Sequence, residues 1–157
     1  QNPIVETSTK ITPKDVVSKE EMEISRNRTR NLNNLERQQI EDWIKTQDVK
    51  YYSMGLNYWV NVEGLENNTR KIDGEVISYR YDIYDFDLVK LYDESVVNKN
   101  VIFGRFDELR PIEDALRYIK KDQELTLLIP SVLAFGTYGD NKKISNDMPI
   151  IVKLKLE

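Results

Sequence analysis

The sequence predicts an α+β domain in which an antiparallel β-sheet curls over one short helix, preceded by an N-terminal helical extension. Two observations lead to this prediction. From about residue 51 onward, several segments alternate apolar and polar side chains, as half-buried strands do. In that region only the segment after Pro111 repeats its apolar residues every three to four positions, as an amphipathic helix does. Strands with a single helix among them favour antiparallel pairing.

The first 14 residues mix Thr, Ser, Pro and charged side chains without apolar periodicity. Such a stretch buries too little apolar surface to offset the entropy lost on ordering it, so we predict a flexible tether over residues 1–14. The chain begins at Gln1 and not at a methionine, which is typical of a processed or trimmed N-terminus.

Residues 15–50 are rich in polar helix formers and make up the predicted helical extension, with a capping-box pattern at residues 18–21. Their apolar stripe is thin and irregular, which predicts one interrupted helix or two shorter ones. The better buried face lies in residues 35–47 and consists of Ile40, Trp43 and Ile44. This face can pack on its own domain, form a dimer arm or belong to a solvated spacer, and the sequence leaves the oligomeric state open.

The alternating segments predict the strands and the apolar spacing predicts the helix. Strands are expected at residues 58–62, 77–83, 89–92, 101–103 and 152–156. Residues 125–129 are a continuous apolar run, which suits a central strand. The helix begins at Pro111, which fits the first helical turn. Its apolar face consists of Ile112, Ala115, Leu116 and Ile119.

The composition excludes several classes of function. The chain has no cysteine and no histidine, which removes thiol nucleophiles, Ser-His-Asp triads, disulfide frameworks and the common zinc sites, so no metal site is expected. Its 23 basic and 27 acidic residues give a net charge of −4. Such a chain has no long-range attraction for nucleic acid or for an anionic membrane surface, and nucleic acid is not expected as a partner.

A C-terminal motif resembles a known family. Residues 129–139 read IPSVLAFGTYG, the following loop reaches Ile144, and the last strand reads IIVKLKL. In order and spacing these pieces resemble the FKBP-type peptidyl-prolyl cis–trans isomerases, whose pattern is close to IPxxxAYGxxG. Upstream pieces between residues 76 and 119 also match. The resemblance therefore runs from about residue 55 to residue 156, and it implies an FKBP-like domain over residues 55–157.

The resemblance implies a substrate pocket in this domain. The implied catalytic residues are Tyr79, Asp93, Leu109 and Phe135, and the implied substrate-binding residues are Tyr92, Val101, Ile112, Ile144 and Val152. Ile112 would be the floor, Leu109 would offer its backbone N–H to a substrate carbonyl, and Asp93 would lie at the polar end. No cofactor is implied.

An apolar pocket of this kind can catalyse rotation about an X-Pro bond without an acid or a nucleophile. The barrier is ~20 kcal/mol because the amide loses resonance as it twists. The twisted amide is less polar than the planar one, so an apolar pocket binds it better than water does.

The sequence departs from the family pattern at three lining positions. Ile112 replaces the usual floor tryptophan, Phe135 replaces the tyrosine of AYG, and Val152 replaces a phenylalanine. We therefore expect a wider and less aromatic pocket, slow catalysis and poor affinity for macrolide inhibitors. The alternative is a non-catalytic peptide-binding or chaperone module that keeps the fold with a degenerate pocket.

The loop DNKKI at residues 140–144 and the long polar N-terminal helix resemble, more narrowly, the gliding-motility-associated FKBP-type lipoproteins of Bacteroidetes. That resemblance implies a lipoprotein on the periplasmic side of the cell envelope, held to the membrane only by a lipidated cysteine preceding Gln1. The partners it implies are proline-containing polypeptides, as a folding helper for envelope, secretion or gliding machinery.

Overall fold

The computed structural model describes residues 18–157. Its elements are α1 (Lys19–Lys45), β1 (Tyr52–Ser53), β2 (Trp59–Val60), β3 (Val76–Tyr84), β4 (Val96–Ile102), α2 (Arg110–Tyr118), β5 (Glu124–Ile129) and β6 (Ile150–Leu156). Residues 36–157 form one compact unit, and the other described residues, 18–35, belong to a second. The predicted tether and the first three residues of the predicted extension lie outside the described residues.

The six strands form one antiparallel sheet in the order β1-β2-β5-β6-β3-β4. The C-terminal strand β6 lies in the middle of the sheet, with Val152 opposite Leu127 of β5 and Leu156 opposite Tyr79 of β3. The register of β3 against β4 shifts between Ile77 and Tyr79. The predicted α+β architecture, an antiparallel sheet curled over one short helix, is confirmed.

Helix α2 supplies one side of the main core. Ile112, Ala115 and Leu116 are fully buried, at the spacing that the sequence predicts. They join the inward side chains of β3, β5 and β6 in one apolar cluster. Every second side chain of a strand points to the same face of the sheet, and on this face those side chains pack against the apolar face of α2. The central strands are therefore buried on this side.

The opposite side of the sheet is covered by the second half of α1. Ile40 is buried there against Trp59, Leu128 and Ile151, and Trp43 packs beside them. This second cluster explains why β5 reads as a continuous apolar run, since both of its faces are buried. Of the three roles that the sequence leaves open for this face of α1, the structure shows packing on its own domain.

Helix α1 is continuous over its 27 residues. The prediction of one interrupted helix or two shorter ones was therefore wrong. Its first turn has the predicted capping box: Ser18 Oγ accepts from the Glu21 N–H at 3.0 Å, and Glu21 Oε1 accepts from the Ser18 N–H at 3.2 Å. Polar helix formers span the region where the apolar stripe thins, so the helix continues although few of its residues are buried.

The strand predicted at residues 89–92 forms only a single bridge, between Lys90 and Tyr84. The chain turns at Asp85, whose Oδ1 accepts the N–H groups of Asp87 and Val89, and the true neighbour of β3 is the longer strand β4. Within residues 18–157, no helix is both long and apolar enough to span a membrane, and no group of acidic side chains is arranged to hold a metal ion.

Candidate functional site

The candidate site lies where β3 faces the segment leading into α2. Alternation along β3 directs Tyr79 and Tyr81 to the same side, where their rings stack with centroids 6.3 Å apart. Phe106 tilts against Tyr79 at 5.9 Å and against Phe103 at 5.4 Å. These four aromatic rings form one wall of the site.

A carboxylate, Glu108, occupies the polar end of this wall. Its Oε2 accepts the Tyr79 hydroxyl at 2.7 Å, and its Oε1 accepts the Tyr81 hydroxyl at 2.9 Å. The same Oε1 accepts the backbone N–H of Leu109 at 3.1 Å. Asn98 Nδ2 donates to the Tyr79 oxygen at 2.9 Å. The N–H that the family resemblance assigns to a substrate carbonyl is therefore already bonded within the protein.

The two tyrosines act as neutral donors in this network. Burial raises the pKa of Tyr79, and the hydrogen bond to the Glu108 carboxylate raises it further. The pKa of Tyr81 is raised by burial first, then by the negative charge of Glu108 and by the hydrogen bond to it. Both phenols therefore keep their protons well above neutral pH, and both direct them at Glu108.

A second carboxylate, Asp140, holds the loop after the AFGTYG segment. Its Oδ1 accepts the N–H groups of Lys142 at 2.9 Å and Ile144 at 3.0 Å, and its Oδ2 accepts the Tyr92 hydroxyl. Burial alone would raise the pKa of Asp140, but these hydrogen bonds outweigh it and lower the pKa. Gly139 has φ +67°, and a Cβ there would collide with the Ile144 carbonyl. The loop thus closes against Tyr92.

The structure places the nine predicted site residues in three environments. Tyr79, Ile112, Ile144 and Val152 are almost completely buried, with exposed fractions of 1%, 0%, 2% and 0%. Tyr92, Val101, Leu109 and Phe135 are half-buried and pack against the main core. Asp93 is exposed, and its carboxylate has no hydrogen-bond partner among residues 18–157.

The solvent-accessible part of the site consists of half-buried apolar side chains, which we call the rim. Ile112 and Val152 are smaller than the aromatic residues of the family pattern, yet no solvent reaches them. The rim consists of seven half-buried residues that pack against the same core cluster: Tyr92, Val101, Phe106, Leu109, Leu133, Phe135 and Met148. A ligand that binds this site contacts the rim unless these side chains move.

Glu108 is the carboxylate that accepts hydrogen bonds from the tyrosine wall, and the sequence analysis did not include it among the site residues. The sequence did not reveal this role because Glu108 is 29 residues from Tyr79 and 27 from Tyr81 along the chain. One signal was available: Glu108 directly precedes Leu109, so its side chain had to lie close to the predicted pocket. Only the packing of β3 against this segment shows that the carboxylate meets both hydroxyls.

Solved structures that are similar to this chain include a peptidyl-prolyl cis–trans isomerase and proteins named as FKBPs. A peptidyl-prolyl cis–trans isomerase from Pseudomonas syringae pv. tomato aligns over 82% of this chain and 92% of its own, with a TM-score of 0.57 and 14% identity. The domain has the FKBP fold. FkpA from Escherichia coli aligns over 89% of this chain and 72% of its own, with a TM-score of 0.55 and 16% identity.

A plant protein also has a similar structure. The N-terminal domain of FKBP42 from Arabidopsis thaliana aligns over 70% of this chain and 91% of its own, with a TM-score of 0.55 and 10% identity. No family model and no curated protein matches the sequence. At these identities the likeness establishes the FKBP fold alone.

Proposed function

We propose that this domain binds X-Pro segments of polypeptide chains at the apolar rim and accelerates their cis–trans isomerisation slowly. The observation that carries the proposal is the half-buried rim, which lies beside the hydroxyls of Tyr79 and Tyr81 and the N–H of Leu109 on an FKBP fold. The solved structures of this fold include a peptidyl-prolyl isomerase.

The rim residues supply the apolar surroundings that favour a twisted amide. Phe135 and Leu109 offer contact surface for a proline ring, and their side chains remove water from the peptide bond beside it. The twisted amide is less polar than the planar amide and loses less hydration free energy when it leaves water. The rim therefore binds the twisted form better, and this lowers the barrier to rotation. No acid, base or cofactor takes part in this reaction.

Slow catalysis follows from the hydrogen bonds of Glu108. A substrate carbonyl that seeks the Leu109 N–H has to displace the Glu108 carboxylate, which is a stronger acceptor than a neutral amide oxygen. The hydroxyls of Tyr79 and Tyr81 are bonded to the same carboxylate. All three donors are therefore unavailable until Glu108 moves.

The decisive experiment measures exchange between the cis and trans forms of an X-Pro peptide by NMR in the presence of the protein. We expect an exchange rate above that of buffer. Phe135→Ala should lower this acceleration about tenfold, because an aromatic contact to the proline ring is lost. Tyr138 lies in the same motif but is 83% exposed, so Tyr138→Ala is the matched control and should leave the rate unchanged. An exchange rate equal to that of buffer would contradict catalysis.

A second candidate function, peptide binding without catalysis, is favoured by the same Glu108 contacts. If the three donors stay bonded to Glu108, the rim still binds an apolar segment but gives the twisted amide no hydrogen bond. In that case the protein should suppress aggregation of an unfolded client while exchange stays at the rate of buffer. Phe135→Ala should weaken this suppression, and equal suppression by the variant would contradict the candidate.

We further propose that the protein acts in the cell envelope, as a lipoprotein on the periplasmic side that assists exported or gliding-motility proteins. The support is the resemblance of the loop at residues 140–144 and of the polar helix α1 to the gliding-motility-associated lipoproteins. Mass spectrometry of the protein from its natural host should find a diacylglyceryl cysteine ahead of Gln1. An unmodified N-terminus would contradict the proposal.

A further inference from the structure

The carboxylate of Glu108 carries a charge that no cation of the described chain balances. Within residues 18–157, the ion pairs involve Asp42, Asp82, Asp73 and Glu113, and none involves Glu108. Its three donors, two phenol hydroxyls and one backbone N–H, are neutral. The negative charge therefore stands at the polar end of the site without a formal counter-ion.

The nearest basic residue along the helix lies in a different place. Arg110 lines a separate polar cavity of about 200 Å³ with Arg70 and Arg117. Arg117 in that cavity is already paired, at 2.6 Å with Asp73 and at 3.6 Å with Glu113. Arg110 itself, at the start of α2, forms no ion pair with Glu108 within residues 18–157.

The geometry also leaves Glu108 able to accept a further hydrogen bond. A carboxylate has about four acceptor positions, and Tyr79, Tyr81 and Leu109 fill three. A backbone carbonyl that approaches these oxygens is repelled, whereas a donor with positive charge is attracted. Because Glu108 is half-buried, its charge is less screened than one on the open surface.

We propose that the site selects polypeptide segments in which a lysine or arginine adjoins the proline, and that the cationic side chain binds the Glu108 carboxylate. The inference rests on the proposed function, since it requires the X-Pro segment to lie on the rim beside Glu108. An acidic residue at the same position places like charges together and is rejected. Glu108 is then a specificity-determining residue.

The test is a binding series of peptides that differ only in the residue beside the proline. Lysine, arginine, norleucine and glutamate are each placed before the proline and, in a second set, after it, and dissociation constants are measured by fluorescence anisotropy. We expect the lysine and arginine peptides to bind five- to tenfold more tightly than the norleucine peptide, as for a partly screened ion pair. The glutamate peptide should bind most weakly. The preference should shrink between low and high salt.

A pair of neighbouring variants assigns the preference to one carboxylate. Glu108→Gln keeps the shape and removes the charge, so lysine and norleucine peptides should bind equally. Asp107→Asn removes one negative charge from the exposed adjacent residue and should keep the preference. Retention of the preference in Glu108→Gln, or its loss in Asp107→Asn, would overturn the inference.

The unmodified protein alone also tests the inference, should Glu108→Gln fail to fold. Equal binding of lysine and norleucine peptides overturns the inference and leaves the proposed function intact. Absence of binding by every peptide overturns the proposed function itself.

Discussion

Ile112 and Val132 are both apolar residues of the region that resembles an isomerase pocket, yet their surroundings differ. Ile112 is fully buried on α2, whereas Val132 is exposed in the IPSVLAFG segment. Isoleucine is smaller than the tryptophan of the family pattern, yet Ile112 has no exposed surface because it packs in the main core cluster. A position that lines a pocket in the family pattern is here a core position.

Ile112→Ala should therefore lower the free energy of unfolding by about 2–5 kcal/mol, since it leaves a cavity in a packed core. Val132→Ala is the matched control and should change it by less than about 0.5 kcal/mol. Urea denaturation followed by tryptophan fluorescence measures both. A stable Ile112→Ala protein with lost peptide binding would show instead that ligands reach the floor.

Helix α1 is joined to the sheet by polar contacts as well as by its apolar residues. Glu36 accepts two hydrogen bonds from Ser131, one from its N–H at 2.6 Å and one from its hydroxyl at 2.7 Å. Trp43 donates from Nε1 to the Phe86 carbonyl at 2.9 Å. Ser131 begins the turn that leads into the rim, so this part of α1 supports the position of the rim segment.

Glu36→Ala should lower the free energy of unfolding by about 1–3 kcal/mol, because the buried N–H and hydroxyl of Ser131 lose their acceptor. Glu41→Ala removes an exposed carboxylate of the same helix and should have an effect below about 0.5 kcal/mol. Thermal unfolding of the two variants measures the difference. Equal melting temperatures would contradict the role of the Glu36 contact.

Taken over the whole domain, three buried tyrosines make stability sensitive to alkaline pH. Burial raises the pKa of Tyr58, and its hydrogen bond to Asp114, at 2.7 Å, adds to the effect. Tyr79 and Tyr81 are shifted in the same direction by burial and by Glu108. Their contribution to stability is complete below the ordinary tyrosine pKa of about 10. Above that pH the unfolded chain loses protons that the folded domain keeps.

The free energy of unfolding should therefore fall as pH rises above about 10, by at most ~1.4 kcal/mol per pH unit for each tyrosine. Urea midpoints measured from roughly pH 9 to pH 11.5 would show this slope. Tyr58→Phe should reduce the slope by removing one of the three protons. Tyr138→Phe, at an exposed position, should not. An identical slope in Tyr58→Phe would contradict the assignment.

Some features were predictable because they depend on local pattern. The alternation of apolar and polar residues predicted β3 and β6, and the apolar spacing after Pro111 predicted α2. The capping-box pattern at residues 18–21 predicted the first turn of α1. Each of these signals is contained in a few neighbouring residues. The predicted break in α1 was wrong because helix propensity extended the helix where burial was thin.

By itself the sequence determined the α+β class, the helix and main strands and the motif at residues 129–139. Only the tertiary structure decided which carboxylate reaches the tyrosine hydroxyls and that Ile112 is completely buried. The physical reason is that pattern fixes which way a side chain points from its own strand or helix. Its partners depend on how distant segments pack, as Glu108 shows by meeting Tyr79 and Tyr81 across 29 and 27 residues of chain.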